Sequence, residues 1–280
     1  MFQVNEKDVV AIKNWLTQEP YLPKNIDDLM IKKFLYSCDS SLERTKRCIE
    51  VFCLGRATTM SEIFTDRDPA SPRLKNAFAI TCVTTYLAGP DEILIHKLTG
   101  PDNFDFYDCL RSCMLQADNW IKLERDVLPE NHYIIVDIKE YTLALIAKSN
   151  IFYFQKYLTF LLAAMPVRLK QVHVVNCPSF YEYMYGLVKG VLPQEVQEMI
   201  KFHSDHTGLH QYLDKKYLPI EYDGEAESML QQNLTWVKNI TDNRKFLGND
   251  NLWKADLSKK AKKTEVETTM SGSFRTLAID

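Results

Sequence analysis

Two short runs of mostly β-branched residues, Tyr133-Ile-Ile-Val-Asp-Ile138 and Val172-His-Val-Val-Asn176, constrain this chain more than any other feature. Each is bounded by breakers and reads as a strand covered on both faces. Roughly 33 residues of helical pattern ending at Pro166 separate them, a spacing that fits a βαβ crossover and therefore two parallel strands. The centre of the chain is thus α/β. Glu92 to Leu98, after the Gly89-Pro90 breaker, reads as a further strand, and Phe104 to Val127 carries Leu110, Met114, Ala117 and Ile121 at helical spacing.

The segments on either side differ in kind. Up to about residue 60 the pattern is helical. Asn5 is placed to cap a helix with Val9, Ile12 and Leu16 on one face, and Asp27 or Asp28 caps the next. Ser40-Ser41-Leu42-Glu43 offers a Ser-x-x-Glu capping box for a third. Ala226 to Phe246 reads as a final helix. Ser258 to Ser273 is polar and lysine-rich, as a solvated linker would be, and Ser273 to Asp280 has apolar residues enough for an edge strand.

Between Ser179 and Phe202 the pattern is helical but interrupted. Tyr181, Met184, Leu187, Val188, Val191 and Leu192 recur every three or four residues, so they share one apolar face. Gly186, Gly190 and Pro193 break that face. A glycine inside a helix costs ~1 kcal/mol relative to alanine, so the segment is either short, divided and movable, or a core helix with a tight neighbour at the glycines.

Composition excludes several classes. At 46% hydrophobic and 25% charged, with nine Gly and eleven Pro in 280 residues, the chain is neither low-complexity nor wholly disordered. Its 34 Lys plus Arg against 37 Asp plus Glu give a net charge of −3, which supplies no basic field for nucleic acid. Seven cysteines, none in a Cys-x-x-Cys pair, fit reduced thiols. The charged N-terminus does not read as a signal peptide, so a cytoplasmic location is expected and the sequons at Asn233 and Asn239 carry no meaning. The most apolar stretch, Phe160 to Met165, is far short of the ~20 residues that span a bilayer.

Catalytic signatures are scarce. No glycine-rich phosphate or dinucleotide loop, Gly-x-Ser-x-Gly or His-Glu-x-x-His occurs. His203, His206 and His210 have spacings that could bring three imidazoles to a metal on one helical face, but Gly208 interrupts that helix and no cysteine stands near as a fourth ligand. Capping and packing are the expected roles, with no metal and no cofactor. Asp137, inside an apolar strand, is a candidate catalytic carboxylate, although a carboxylate bonded to backbone at a strand end is the commoner case. No nucleophile and base stand together, so no enzymatic activity is expected.

Several motifs, in order, resemble one family. Met165-Pro-Val-Arg-Leu-Lys-Gln-Val-His-Val-Val-Asn176, Cys177-Pro-Ser-Phe180, the interrupted helix, His203, and Leu218-Pro-Ile-Glu-Tyr-Asp-Gly224 resemble the core of the CRAL-TRIO (Sec14-like) lipid-binding domain. Ile134 to Asp137 resembles its floor strand, and Lys33-Phe-Leu-Tyr-Ser-Cys-Asp39 with Glu43-Arg44 its helical N-terminal subdomain. The resemblance runs from about residue 5 to 246. It is strongest to the α-tocopherol transfer and cellular retinaldehyde-binding branch in the form insects carry, whose tail the closing residues 272–280 also resemble.

That resemblance implies an α/β fold: a helical subdomain over residues 1–75, a mixed sheet flanked by helices with an apolar cavity and gate helix over 76–246, and a linker and tail over 247–280. It implies intracellular binding and transfer of a hydrophobic small molecule such as a tocopherol, retinoid or carotenoid. A non-transferring module that binds phosphoinositides or proteins is the alternative. The gate would be Phe180 to Val191, facing inward through Tyr181, Met184, Leu187 and Val191. The floor would include Val136, Val172 and Val174, and the walls Tyr107, Leu110, Met114, Leu143, Tyr157, Phe160 and Leu161. Arg168, Lys170 and Lys189 stand at basic positions of the family, with Lys201 nearby, as a membrane or anion patch for transient contact with a bilayer and its phosphoinositides. Tyr36 and Cys38 stand where relatives carry arginines, and Glu195 and Met199 where they carry a basic pair, which weakens phosphoinositide-headgroup exchange.

Overall fold

The computed structural model describes residues 4–260, apart from 101 and 126. The expected edge strand at Ser273 to Asp280 and nearly all of the lysine-rich linker lie outside the described residues. Three helices open the chain, α1 (Glu6–Gln18), α2 (Asp28–Ser37) and α3 (Leu42–Ala57). Their starts follow the capping residues: Asn5 accepts from the Lys7 amide and Asp27 from the Met30 amide. The third cap is shifted by one position, to Ser41, which accepts from the Arg44 amide, because Ser40 turns into the left-handed region (φ 56°) to close the preceding helix.

Helix α4 (Pro72–Ile80), begun by Pro72, leads into β1 (Thr81–Ala88), and β2 (Asp91–Leu98) returns beside it. Gly89-Pro90 is the two-residue hairpin turn between them, with Gly89 at φ +65°. After α5 (Phe106–Lys122) come β3 (His132–Asp137), α6 (Leu143–Ala147), α7 (Ile151–Ala164) and β4 (Leu169–Val175). Then follow α8 (Tyr181–Lys189), α9 (Gln194–Met199), the short β5 (Ile200–Phe202) and, beyond several 3-10 turns, α10 (Met229–Asp242). The sheet order is β1-β2-β3-β4-β5, antiparallel only at β1–β2. The β3–β4 pair is parallel, as the crossover spacing predicts.

The two sheet faces differ. Ile93, Ile95, Ile135 and Val175 point into a core sealed by Leu209, Leu213, Leu218 and Tyr222 of the C-terminal turns. The other face, which Leu94 shares, looks toward the helices and their larger core. The Gln232 side chain bonds both the N–H and the C=O of Thr85, and Asn233 accepts from the Val83 amide, so α10 covers the free edge of β1.

Polar interlocks tie the N-terminal helices to this body. Asp118 of α5 bonds Arg56 of α3 at 2.5 Å and Arg67 at 2.6 Å, all three fully buried. Lys33 of α2 donates to the carbonyls of Trp120, Ile121 and Leu123 and so caps the end of α5. Residues 247–256, expected to begin a linker, instead pack here. Trp253 is buried against Phe52 and donates to the Asn25 carbonyl, because a tryptophan left in water would forfeit a large apolar burial.

Candidate functional site

On the helix side of the sheet, Ile134 and Val136 of β3 and Val172 and Val174 of β4 are only half-buried, although they sit on central strands beneath helices. Their neighbours on the opposite face, Ile135 and Val175, are fully buried. An apolar side chain at the centre of a sheet that still keeps water-accessible surface borders a space between the layers, since protein interiors are otherwise close-packed. The expected floor residues Val136, Val172 and Val174 share one half-buried face of two neighbouring strands.

The interrupted segment packs beside α7 and β5. Its breakers divide it into α8 and α9, with Gly190 ending the first and Pro193 preceding the second. Tyr181, Met184, Leu187 and Val188 are half-buried while Glu182, Tyr183, Gly186 and Lys189 face out. No residue of α8 is fully buried. Tyr181 and Tyr185 rest on Phe202 of β5, with ring centroids 5.1 and 5.0 Å apart, and Gln155 of α7 donates to the Leu187 carbonyl at 2.6 Å. A Cβ added at Gly186 or Gly190 would meet nothing within 4 Å, so neither glycine serves a tight neighbour. Phe180 and Val191, at either end of the segment, are half-buried.

The expected wall residues separate. Leu110, Met114 and Tyr157 are buried in the helical core, and Tyr107 and Leu161 pack half-buried against it. Phe160 is completely enclosed, its ring within 2.6 Å of where a Cβ on Gly55 would stand, so it packs α7 onto α3. Leu143 is 54% exposed and points away from the cleft. The basic residues each have a partner or neighbour of their own. Arg168 pairs with Asp39 at 3.0 Å and Lys170 with Asp91 at 2.9 Å, both near the N-terminal ends of β3 and β4. Lys189 lies at the end of α8 over the Tyr185 ring, and Lys201 stands on β5 beside His173.

Three polar residues that the sequence did not single out are half-buried. His96 shares the helix-facing side of β2 with Leu94, in register with Val136, and is half-buried. Burial among protein atoms lowers its pKa to about 4, with Asp137 opposing. Cys113 and Tyr141 are likewise half-buried, yet burial pushes the Cys113 thiol up to about 12 and raises the Tyr141 phenol.

The other candidates resolve into structure. Asp137 faces the sealed core, accepting from the Tyr222 hydroxyl at 3.0 Å and the Lys139 amide at 3.0 Å. His203 lies 3.0 Å from His173, His206 2.9 Å from Asp223, and His210 2.9 Å from the Tyr222 carbonyl. The three imidazoles thus face three different partners, and no group of three possible ligands among the described residues is placed to hold a metal ion. Gly224 ends the Leu218 to Gly224 turn where any Cβ would stand 2.0 Å from the Leu218 carbonyl. A void of about 20 Å³ between Lys33, Glu92, Trp120 and His132 has room for about one water and no lipid.

A mixed sheet, a half-buried apolar row on its helix side and a divided helix beside α7 and β5 make up this arrangement. Residues 93–224 match the CRAL/TRIO domain, and residues 1–74 match a Pinta-like UBA domain. The CRAL/TRIO match takes in 132 of the 280 residues, and over that stretch the chain is similar to the CRAL-TRIO family. The alpha-tocopherol transfer protein-like protein of Mus musculus is 25% identical over 225 residues, 79% of this chain and 65% of that protein. The match thus spans just under two thirds of that relative's length. Clavesin-1 of Rattus norvegicus is 27% identical over 121 residues, 42% of this chain and 34% of that protein. The crystal structure of Sfh5 superposes with a TM-score of 0.54 at 15% identity, covering 87% of this chain and 99% of that one, which shows that the two share a fold. No helix among the described residues is long and apolar enough to cross a membrane.

Proposed function

We propose that this chain is a cytoplasmic carrier that holds one hydrophobic small molecule, a tocopherol, retinoid, carotenoid or other isoprenoid, in the cleft between sheet and helices, with α8 as the gate. The observation that carries the reading is the half-buried row Ile134, Val136, Val172 and Val174 beneath helices, beside an amphipathic helix with no fully buried residue. Sequestering ~500 Å² of apolar ligand surface at ~25 cal/mol/Å² is worth on the order of 12 kcal/mol before ordering costs, so binding requires no catalytic group.

Delivery would occur at a bilayer surface. Leu143, Phe152 and Tyr183 are 54%, 78% and 58% exposed on α6, α7 and α8, and Lys148, Lys156 and Lys189 are exposed on the same helices. Phe152 and Tyr183 each stand about one turn from the Gln155–Leu187 hydrogen bond that joins α7 to α8. Apolar side chains among lysines suit an anionic membrane interface, and phosphoinositides are among the lipids such a surface would meet.

The test is transfer of a fluorescent isoprenoid between donor and acceptor vesicles by the native chain and by Leu187→Asp, which puts a charge on the inward face of α8. A carrier speeds transfer and loses that activity with Leu187→Asp while keeping its fold by circular dichroism. A native chain that moves nothing overturns the reading in favour of a non-transferring module.

A further inference from the structure

We propose that Gln155 is the latch of the gate: a side-chain amide on α7 that holds α8 shut through the Leu187 backbone carbonyl and sets how often the helix opens. This rests on the carrier reading and deepens it by naming the residue that controls the gate. α8 is attached differently at its two ends. At the N-terminal end the Cys177 amide donates to the His203 carbonyl at 3.1 Å, and the His203 amide donates to the Val174 carbonyl of β4 at 2.9 Å, so the chain enters α8 from the sheet itself. The rings of Tyr181 and Tyr185 lie against Phe202 of β5 and fasten the same half. That end is the hinge.

At the C-terminal end the backbone leaves a carbonyl open. In a continuing helix the Val191 amide would donate to the Leu187 carbonyl, four residues back. Gly190 ends the helix instead, and Val191 donates to the Val188 carbonyl and Leu192 to the Lys189 carbonyl, each at 3.1 Å. Gln155 supplies the missing donor, its Nε2 standing 2.6 Å from the Leu187 carbonyl oxygen. Gln197 of α9 acts within the segment, donating to the carbonyls of Leu192 at 2.8 Å and Lys189 at 3.3 Å. The two glutamines therefore have different tasks. Gln197 travels with the segment and braces α8 against α9, whereas the Gln155 bond runs from the gate to α7, which Phe160 and Ala164 fix in the helical core.

Among the described residues the Gln155–Leu187 bond is the only side-chain hydrogen bond between α8 and an element outside the segment, and no ion pair joins α8 to another element. One neutral hydrogen bond is worth about a fivefold change in an equilibrium, which holds a helix without locking it. Because the acceptor is backbone, the latch makes no demand on the side chains of α8, and the inward face is free to be wholly apolar.

The test compares the full-length chain with Gln155→Met, which keeps the length and apolar stem but not the amide, and with Gln155→Glu, which keeps the shape but turns an acceptor toward the carbonyl at pH 7.5. Hydrogen exchange over residues 181–192 should rise about fivefold in Gln155→Met and further in Gln155→Glu, with exchange over α7 unchanged. Gln197→Met should loosen residues 187–192 alone. Retinol, loaded into each chain and followed by its own fluorescence, should leave for phosphatidylcholine vesicles faster in both Gln155 variants by the same factor as their exchange. Exchange over 181–192 that stays at the native rate, that rises in Gln155→Glu alone, or that rises equally throughout α7 overturns the latch, as does faster exchange with unchanged retinol release. A native chain that takes up no retinol counts against the carrier reading alone, and the exchange measurement still decides the latch.

Discussion

Gly186 and Gly190 offer the most informative perturbation of the proposed gate. Gly186 lies inside α8 and Gly190 caps it with φ −66°, a conformation any residue adopts. A Cβ at either position meets nothing within 4 Å, so alanine enters without a clash. Glycine to alanine at such sites stabilises a helix by ~0.4–1 kcal/mol each, partly by restricting the unfolded chain. Together the two substitutions should stabilise α8 by roughly 1–2 kcal/mol, a factor of about 5 to 30 in its opening equilibrium. If the helix must loosen for ligand to leave, vesicle-to-vesicle transfer should slow by a similar factor. Hydrogen exchange over residues 181–190 reports independently whether the helix has stiffened. Slower exchange with an unchanged transfer rate would refute the argument that α8 is the element whose opening limits release.

Three further outcomes follow from other parts of the molecule. Asp118→Ala should cost ~3–5 kcal/mol in chemical denaturation, because it strands Arg56 and Arg67, each 1% exposed, without their counter-ion; a cost below 1 kcal/mol would mean the interlock is dispensable. His96 and His173 have folded pKa values lowered to about 4 from 6.5, the first by burial, the second by burial and by His203 and Lys201. The unfolded chain therefore takes up their protons first, so stability is complete above pH 6.5 and falls toward pH 4 by up to ~1.4 kcal/mol per pH unit for each histidine. The carboxyl of Asp118, where burial is outweighed by Arg56 and Arg67, lies below its ordinary value of 3.8 and adds its loss only under that pH. Denaturation midpoints that stay flat between pH 7 and 4.5 would contradict this. Replacing Leu143, Phe152 and Tyr183 together by Ser should lower co-sedimentation with anionic vesicles at least tenfold, since even partial insertion of three such side chains is worth ~2 kcal/mol or more; unchanged binding would move the membrane surface elsewhere.

Much of the fold was legible where period and breakers agree. The β3–β4 pair, its helical crossover, the three opening helices and the division of the segment after Ser179 all follow from patterning. What escaped has identifiable causes. β1 was hidden because Gly89-Pro90 reads equally as a breaker and as a two-residue hairpin turn, and only the second reading demands a strand before it. β5 is three residues long and gains its place from β4 and not from its own pattern. Trp253 lies beyond the last helix in sequence yet fills the N-terminal core, a long-range contact that local pattern cannot register.

The shared face of the strands was legible, the packing of the helices less so. Val136, Val172 and Val174 follow from alternation once one face is known to look toward the helices. Phe160 and Leu143 share the apolar character of a cavity wall, but one is locked under Gly55 and the other faces solvent, and only packing separates such cases.

The central claim is that the cleft over Val136, Val172 and Val174 holds a lipophilic molecule. Native mass spectrometry of the chain purified gently from a lipid-rich lysate tests it most directly. The account predicts a single adduct, one ligand per chain, of a mass extractable into organic solvent and absent from Leu187→Asp. A chain that emerges at its bare mass, and stays so after incubation with vesicles carrying tocopherols, retinoids and carotenoids, would contradict it.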